Sequence, residues 1–329
     1  MSCSLESVRL TEIDSGETAF RISTEQNLSG LAASIASVGL LATPILRRSD
    51  ASRYTIVSGF RRVAACRSLN RQVVPARILS EDTPELDCAG IAITENAFQR
   101  PLNLIERSRA LRILSAHFSD ATALSKAAAA FGLAETPATI DAVLPLCGLS
   151  DGLQAGILNG TISLSMAREL MRFDPEARAA LAELLLSMKM SLSKQREVLT
   201  MLREISLKEG AAIPSLLSES ETATILSDPE GDRNTKAERL RRHLKQRRYP
   251  AIHAAEEKTH ALIRSLKLRE EMKLVPPENL EGTAFTLTLR FHDVSELRGL
   301  HHSMGDLLDR PELERLISKA FLEEPGRTR

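Results

Sequence analysis

The stretch Tyr54 to Leu69, YTIVSGFRRVAACRSL, constrains the fold more than any other part of the chain. Tyr54, Thr55, Ile56 and Val57 are β-branched or aromatic and suit a strand, whereas Val63, Cys66 and Leu69 recur at every third residue and suit one face of a helix. Gly59 stands at the switch, where the absence of a Cβ permits a sharp turn and lets a ligand approach the backbone closely. Arg61 and Arg62 then fall in the first helical turn, where the macrodipole and the unpaired N–H groups favour anions over cations. An anionic ligand held by those N–H groups and both guanidiniums would resolve the conflict. Two solvated arginines on a surface helix are the plainer reading of an isolated pair.

The remaining constraints are broad. A chain of 329 residues has room for two or three domains. With aromatics at 3% and no Trp, its cores must be built from Leu, Ile, Val and Ala, which suits a mainly helical protein. Lys and Arg number 43 and so do Asp and Glu, so any nucleic-acid binding must come from local patches rather than net charge. Cys3, Cys66, Cys88 and Cys147 show no CxxC and no His at ligand spacing; they read as free thiols rather than a zinc site. The sequence has neither a signal-like start nor an apolar run of membrane-spanning length, so a soluble, cytoplasmic protein with no membrane partner is expected.

In chain order, Val8 to Leu10 and Phe20 to Ile22 are strand candidates separated by the turn-prone Asp14-Ser15-Gly16. Leu28, Leu31, Ile35 and Val38 share one helical face, with Gly39 as the stop. Pro44-Ile45-Leu46 starts a strand that ends in Arg47 and Arg48. Val73, Val74, Ile78 and Leu79 form another, which Pro75 interrupts and so places at a sheet edge. Thr83-Pro84 opens a helix to about Ala97, with Glu95 and Asn96 near its end. Asn103 and Glu106 have the spacing of a capping box, and from there to about Leu207 the pattern is helical.

Taken in order, LAASIASVGLLATPILRR, YTIVSGFRRVAACRSL, VVPARIL and ENAFQRPLNLIE resemble the N-terminal domain of the ParB family of partition proteins, followed by its helical DNA-binding domain. The resemblance implies an α+β, mainly helical chain. A ParB/sulfiredoxin-like α/β domain would span 1–101, an all-α helix-turn-helix domain 102–207, a linker and basic helix 208–250, and a small α/β dimerisation domain 251–329. It also implies ligands: CTP, its triphosphate held by Gly59, Arg61 and Arg62; Mg2+ at Glu95 and Asn96; and Arg100 close to the nucleotide. Nucleotide binding would close a dimeric clamp on DNA beside the nucleoid, with a ParA-like ATPase as partner. Phe60 stands where the family usually has Glu, and Gln99 where it has Arg, with Arg100 one position later. These departures bear on hydrolysis more than on binding, so CTPase activity is left open.

Two segments bear on DNA. Asp120 caps an Ala-rich helix, Ala128 and Gly132 keep the spacing of a helix-turn-helix, and Thr136-Pro137 opens the second helix after a turn two residues longer than usual. From Ala127 to Ala167, however, there is no Lys or Arg to meet a phosphate, while Glu135, Asp141 and Asp151 are negative. Past a Ser- and Glu-rich stretch read as a linker, from about Glu209 to Asp232, the run from Arg233 to Arg248 carries eight Lys or Arg against the single acid Glu238. Arg241, Arg242, Arg247 and Arg248 are the expected non-specific DNA contacts. A solvated helix packing Leu240 and Leu244 on a neighbour explains the same run equally well.

In the last segment, TAFTLTLRF from Thr283 to Phe291 alternates Phe285, Leu287, Leu289 and Phe291 on one face, a half-buried strand. Since no second strand is obvious, pairing with the same strand of another copy is predicted, giving a homodimer. Asp293 caps a helix to about Leu308, and Pro311 opens a last one to about Phe321. His301 and His302, adjacent on a helix, cannot share a metal and read as surface residues. Two rival functions remain. One is a nucleotide-sensing scaffold or regulator without sequence-specific DNA binding. The other is an enzyme, because the N-terminal fold is shared with sulfiredoxin and ParB-like nucleases; Cys66, spaced with the apolar face, reads as core, and no nuclease-like acidic cluster is evident.

Overall fold

The computed structural model describes residues 3–14, 16–50, 53–277, 280 and 284–322, so Thr283, the predicted start of the last strand, lies outside the described residues. The chain divides into two compact units, Met1–Leu192 and Ser193–Arg329.

The first unit opens with β1 (Cys3–Arg9), α1 (Ser29–Val38), β2 (Ile45–Asp50), β3 (Arg53–Ser58), α2 (Phe60–Ser68), β4 (Val73–Leu79) and α3 (Glu85–Ala97). The strands form one sheet in the order β1-β4-β2-β3, parallel only between β2 and β4. Alternate residues of β4, Val74, Ala76 and Ile78, pack in one core with Leu46, Ile56, Ile35 of α1 and Val63 and Cys66 of α2. That alternation is what a strand covered by helices on one face produces. The strand, turn and helix predicted from Tyr54 to Leu69 are therefore the third strand and second helix of this layer.

Two expectations for this region change. β4 is not an edge strand; it runs unbroken between β1 and β2. Residues two apart direct their N–H groups to the same side of a strand. The Arg77 N–H donates to Pro44 O of the segment entering β2, at 2.9 Å, so the position of Pro75 also faces β2, before that strand begins to pair. The missing donor of Pro75 thus leaves no ladder bond unmade. Phe20 to Ile22 is no strand either: Phe20 and Ile22 are buried, but their backbone is irregular.

The unit continues with α4 (Leu104–Ser115), α5 (Ala121–Ala130), α6 (Pro137–Val143), α7 (Asp151–Leu158), α8 (Leu164–Leu170) and α9 (Pro175–Ser187). The side chains of Asn103, Asp120, Thr136, Ser163 and Asp174 cap α4, α5, α6, α8 and α9, and Asn103 with Glu106 forms the predicted capping box. Pro145 falls in a 3-10 turn, Leu144–Gly148, that ends α6 early.

The second unit contains α10 (Leu192–Glu209), α11 (Ile213–Ser218), α12 (Ser220–Ser227), α13 (Arg233–Arg248), α14 (Pro250–Ser265), β5 (Met272–Val275), β6 (Thr286–Leu289), α15 (Val294–Leu308) and α16 (Pro311–Leu322). The stretch read as a linker is largely helical. Ile213, Leu216 and Leu217 are buried there, and the Ser- and Glu-rich composition had masked them. Nor is the strand of Leu287 and Leu289 alone: β5 pairs with it in antiparallel register, Met272 opposite Leu289 and Leu274 opposite Leu287. A pair within one chain removes the argument that this strand must seek a second copy. Leu266, Met272, Leu300, Leu307, Leu313 and Leu316 form the core beneath it. His301 and His302 are exposed, as expected.

Candidate functional site

At the end of β3, Gly59 turns the chain into α2 with φ 92° and ψ 25°, a left-handed conformation. A Cβ built there would lie 2.9 Å from both Cα and Cβ of Pro44. Backbone angle and close approach each demand glycine. The first helical hydrogen bond of α2 runs from the Val63 N–H to Gly59 O at 3.0 Å. The N–H groups of Phe60, Arg61 and Arg62 therefore stand outside the helical ladder, at the positive end of the helix.

Both predicted arginines reach back over this turn. Arg62 donates through Nη1 to Thr43 O at 3.0 Å and Ala42 O at 3.4 Å, and its Nη2 forms an ion pair with Glu95 Oε1 of α3. The two side chains keep only 17% and 20% of their exposure. Arg61 donates to Asn27 O at 3.1 Å. Two atoms are left over: Glu95 Oε2 and Arg61 Nε are buried without a partner. An unsatisfied buried polar atom costs about 1–3 kcal/mol, so this acceptor and this donor are the points of the turn where water or a ligand would be held. Asn96, next to Glu95, donates through Nδ2 to Ala92 O of its own helix at 2.8 Å, which leaves its side-chain oxygen for another partner.

Arg100 is engaged elsewhere. Its two Nη atoms meet the two oxygens of Glu106 at 2.7 Å each, a bidentate pair at the joint between α3 and α4. Glu106 is 1% exposed and also accepts the N–H groups of Thr24 at 3.0 Å and Asn103 at 3.2 Å. Burial pushes its carboxyl up, but the Arg100 guanidinium and these two N–H groups outweigh it and hold the group below its ordinary value. Arg109 of α4 donates to Ser23 O at 3.0 Å, so residues 22 to 24 are fastened to α4 rather than to the sheet. Arg47 lies over the Phe20 ring, and Arg48 pairs with Glu6 at 3.3 Å and lies over Tyr54.

Of the predicted nucleotide residues, the structure thus brings Gly59, Arg62 and Glu95 together, sets Arg61 and Asn96 beside them in sequence, and commits Arg100 to Glu106. Sequence reasoning missed Asn27, Ala42 and Thr43, which contribute carbonyl oxygens and so leave no side-chain signature. Pro44 was the nearest hint. Cys66 is buried in the core, and burial pushes its thiol up with Arg71 only partly offsetting it, the opposite of what a reactive cysteine needs.

For DNA, α5 and α6 form the expected helix pair, but the exposed residues of α6 are Pro137, Ala138 and Asp141. The basic helix α13 buries Ala237, Leu240 and Leu244, and three of the four arginines singled out from the sequence are engaged by acids. Arg241 Nε donates to Glu197 at 2.9 Å and Arg248 Nε to Glu204 at 2.7 Å. Arg247 meets both Glu209 and Glu219, and these carboxylates hold its guanidinium far above its usual value. Arg242, 65% exposed, has Glu238 at 4.0 Å. Glu197 and Glu204 are seven apart on α10 as Arg241 and Arg248 are on α13, a two-turn match that was readable in the sequence once the helices were paired.

The sequence model of the ParB N-terminal domain matches residues 2–97, and that of the ParB HTH domain matches residues 100–214. The chain is 27% identical over 190 residues to the nucleoid occlusion protein of Listeria monocytogenes, covering 56% of this chain and 64% of that protein. It is 29% identical over 160 residues to a probable chromosome-partitioning protein ParB of Xylella fastidiosa, covering 49% of this chain and 50% of that one. The alignments thus span between half and two thirds of these relatives. Among solved structures, the C-terminally truncated ParB of Caulobacter crescentus complexed with CTP-γ-S aligns at 21% identity over 56% of this chain and 99% of that one, with a TM-score of 0.26, a likeness too loose to transfer its ligand. No helix among the described residues is long and apolar enough to cross a membrane.

Proposed function

The chain belongs to the ParB-like partition proteins, and on that premise we propose that it is a CTP-dependent, DNA-associated protein of chromosome or plasmid partition. The observation that carries this reading is the turn after β3, where Arg62, Glu95 and the free helix N–H groups meet and Glu95 Oε2 and Arg61 Nε lack partners. A triphosphate would take the N–H groups of Phe60, Arg61 and Arg62 and the unpartnered Nε–H of Arg61, with the Arg62 guanidinium, held by Ala42 O, Thr43 O and Glu95, adding its charge at the same turn. Mg2+ keeps several waters and binds through one or two carboxylates together with phosphate oxygens. Glu95 Oε2, with the Asn96 side-chain oxygen beside it in sequence, suits that demand, while Oε1 stays on Arg62. The ion would neutralise phosphate charge and so let two arginines, rather than more, hold the ligand. The choice of CTP among the nucleotides rests on the family resemblance of the Gly59 loop. A ParA-like ATPase partner and a homodimer rest on the same resemblance. For a homodimer, β6 keeps one edge that no described strand pairs, and the exposed Val294, Leu308 and Ile317 of α15 and α16 add apolar area.

A second reading, a nucleotide-sensing scaffold or regulator without operator recognition, is favoured by one observation. The exposed surface of α6 offers no cation, and the arginines of α13 are largely occupied by glutamates. Calorimetric titration of the four ribonucleoside triphosphates, with and without DNA, separates the two. CTP binding that DNA strengthens supports the partition clamp; CTP binding indifferent to DNA supports the scaffold; no binding of any triphosphate removes both.

A further inference from the structure

A groove of about 570 Å3 runs between α14 and β5 in the second unit, and neither the nucleotide nor the DNA reading uses it. Ile263, Leu268 and Leu274, all half-buried, and Val275, 38% exposed, give it an apolar lining. Met272 and Leu274 point to one face of β5, Lys273 and Val275 to the other, yet all four line the groove. Because side chains alternate across a strand, a groove touched by both sets runs along the strand's edge rather than over a face. β6 pairs with one edge of β5, and among the described residues no strand pairs with the other. On that edge the Met272 N–H already donates to Arg269 O at 2.9 Å and Pro276 has no N–H, so the Leu274 N–H and the carbonyls of Met272 and Leu274 are the groups an extended chain can meet. The cations Arg264, Lys267 and Lys273 also line the groove, and no Asp or Glu does.

We propose that this groove is a docking site for an extended acidic peptide with apolar residues at alternate positions, added along β5 as a third strand. The backbone edge supplies the hydrogen bonds, the apolar lining takes every second side chain, and the three cations select carboxylates on the others. A second copy of the chain fits less well: edge-to-edge pairing would gather Arg264, Lys267 and Lys273 of both copies at one seam, where like charges oppose each other. Duplex DNA would meet the cations but leave the apolar lining and the strand edge unused.

The test is fluorescence anisotropy on the full chain with a labelled decapeptide alternating Val and Glu. Its controls are a Val–Lys decapeptide and a Val–Glu decapeptide N-methylated at every N–H of one edge. The parent is expected to bind the Val–Glu peptide, to ignore the Val–Lys peptide, and to lose about tenfold or more in affinity for the N-methylated one. The pair Arg264→Glu and Lys273→Glu, both at exposed positions, should weaken Val–Glu binding by about tenfold while circular dichroism stays unchanged. Failure of the parent to bind, or equal binding of the N-methylated peptide, overturns the proposal. A switch from dimer to monomer in sedimentation caused by the charge reversals reassigns the edge to a second copy. Loss of binding to a random-sequence DNA duplex, with peptide binding intact, reassigns the cations to phosphate.

Discussion

Arg62 and Glu95 meet across 33 residues of chain, and the contact takes only one of the two oxygens of the carboxylate. The arginine is thereby fixed over the N-terminus of α2, while the unused oxygen remains a hard, anionic ligand for a cation. An ion pair that serves stability alone would gain from bidentate geometry. Here half of the carboxylate is withheld, which fits a pocket organised for a ligand that carries its own counter-ion.

Replacing Arg61 and Arg62 together by Ala should therefore abolish nucleotide binding. Charge-assisted contacts contribute about 1.5–3 kcal/mol each, so the loss amounts to more than about a hundredfold in affinity. Calorimetry with CTP checks it, with far-UV circular dichroism as the control for folding. Parent-like affinity in the double variant would place the nucleotide elsewhere.

Gly59→Ala should destabilise the first unit and weaken the same binding. A left-handed φ costs an L residue about 1–2 kcal/mol, and the added Cβ would stand 2.9 Å from the backbone of Pro44. Thermal unfolding should show a lower Tm for this variant than for Gly30→Ala, whose Cβ meets nothing within 4 Å.

Glu106 should make stability fall in acid. Its folded pKa lies below the ordinary carboxylate value, so its contribution is present in full above that value and is lost as pH falls through the lowered one. Glu106→Gln, measured by denaturant unfolding across the acidic range, should flatten the dependence there and lower stability at neutral pH. An unchanged profile would show that Arg100, Thr24 and Asn103 do not hold this carboxylate in solution.

DNA binding should be mainly non-specific and should depend on α13 more than on α6. Each phosphate contact steepens the salt dependence by roughly 0.9 log unit per log unit of salt. Neutralising Arg241, Arg242, Arg247 and Arg248 should therefore flatten the slope, by less than four free cations would because glutamates already meet three of them, and weaken all sequences alike, whereas changes at Thr136, Thr139 and Asp141 should do little. Because Glu197, Glu204, Glu209 and Glu219 would lose their partners, the fourfold variant should also have a lower Tm, each pair contributing about 0–1 kcal/mol. Arg242→Ala alone, at a position with one 4.0 Å contact, should leave Tm in place. Sequence-specific binding that survives the four neutralisations and vanishes with the threonine changes would assign recognition to α6.

The parts of this molecule that were legible in its sequence are those where one short stretch carries its own reason. The β3–Gly59–α2 turn joins two periodicities at a glycine, and the Asn103–Glu106 capping box is a four-residue motif; both stand as expected. What was hidden depends on partners distant in sequence. β5 is only four residues long and becomes a strand through Leu287 and Leu289. Pro75 suggested an edge because its effect depends on where β2 begins, which no local pattern records. Arg100 was placed at the nucleotide by the family resemblance, and the local cap motif of Glu106 gives no sign that its carboxylate also takes that guanidinium. Arg241, Arg247 and Arg248 of α13 looked free because Glu197, Glu209 and Glu204, which meet them, belong to α10 and are visible as partners only once the two helices lie together.

One consequence of how the segment before α1 is held concerns inheritance rather than energy. Ser23 meets Arg109 through its carbonyl, and the Thr24 main-chain N–H reaches Glu106. Peptide groups are the same whichever residue carries them, so mutation can rewrite Ser23 without touching that contact, while Arg109 and Glu106 are not interchangeable. Across descendants of a common ancestor, position 23 should drift and positions 106 and 109 should persist. Rapid divergence at position 23 on the way to Asn27 and Arg61 would then be no sign that the path is slack, because its fastener sits on the helix, whereas Thr24, whose hydroxyl also meets Glu106 and Asn103, should persist.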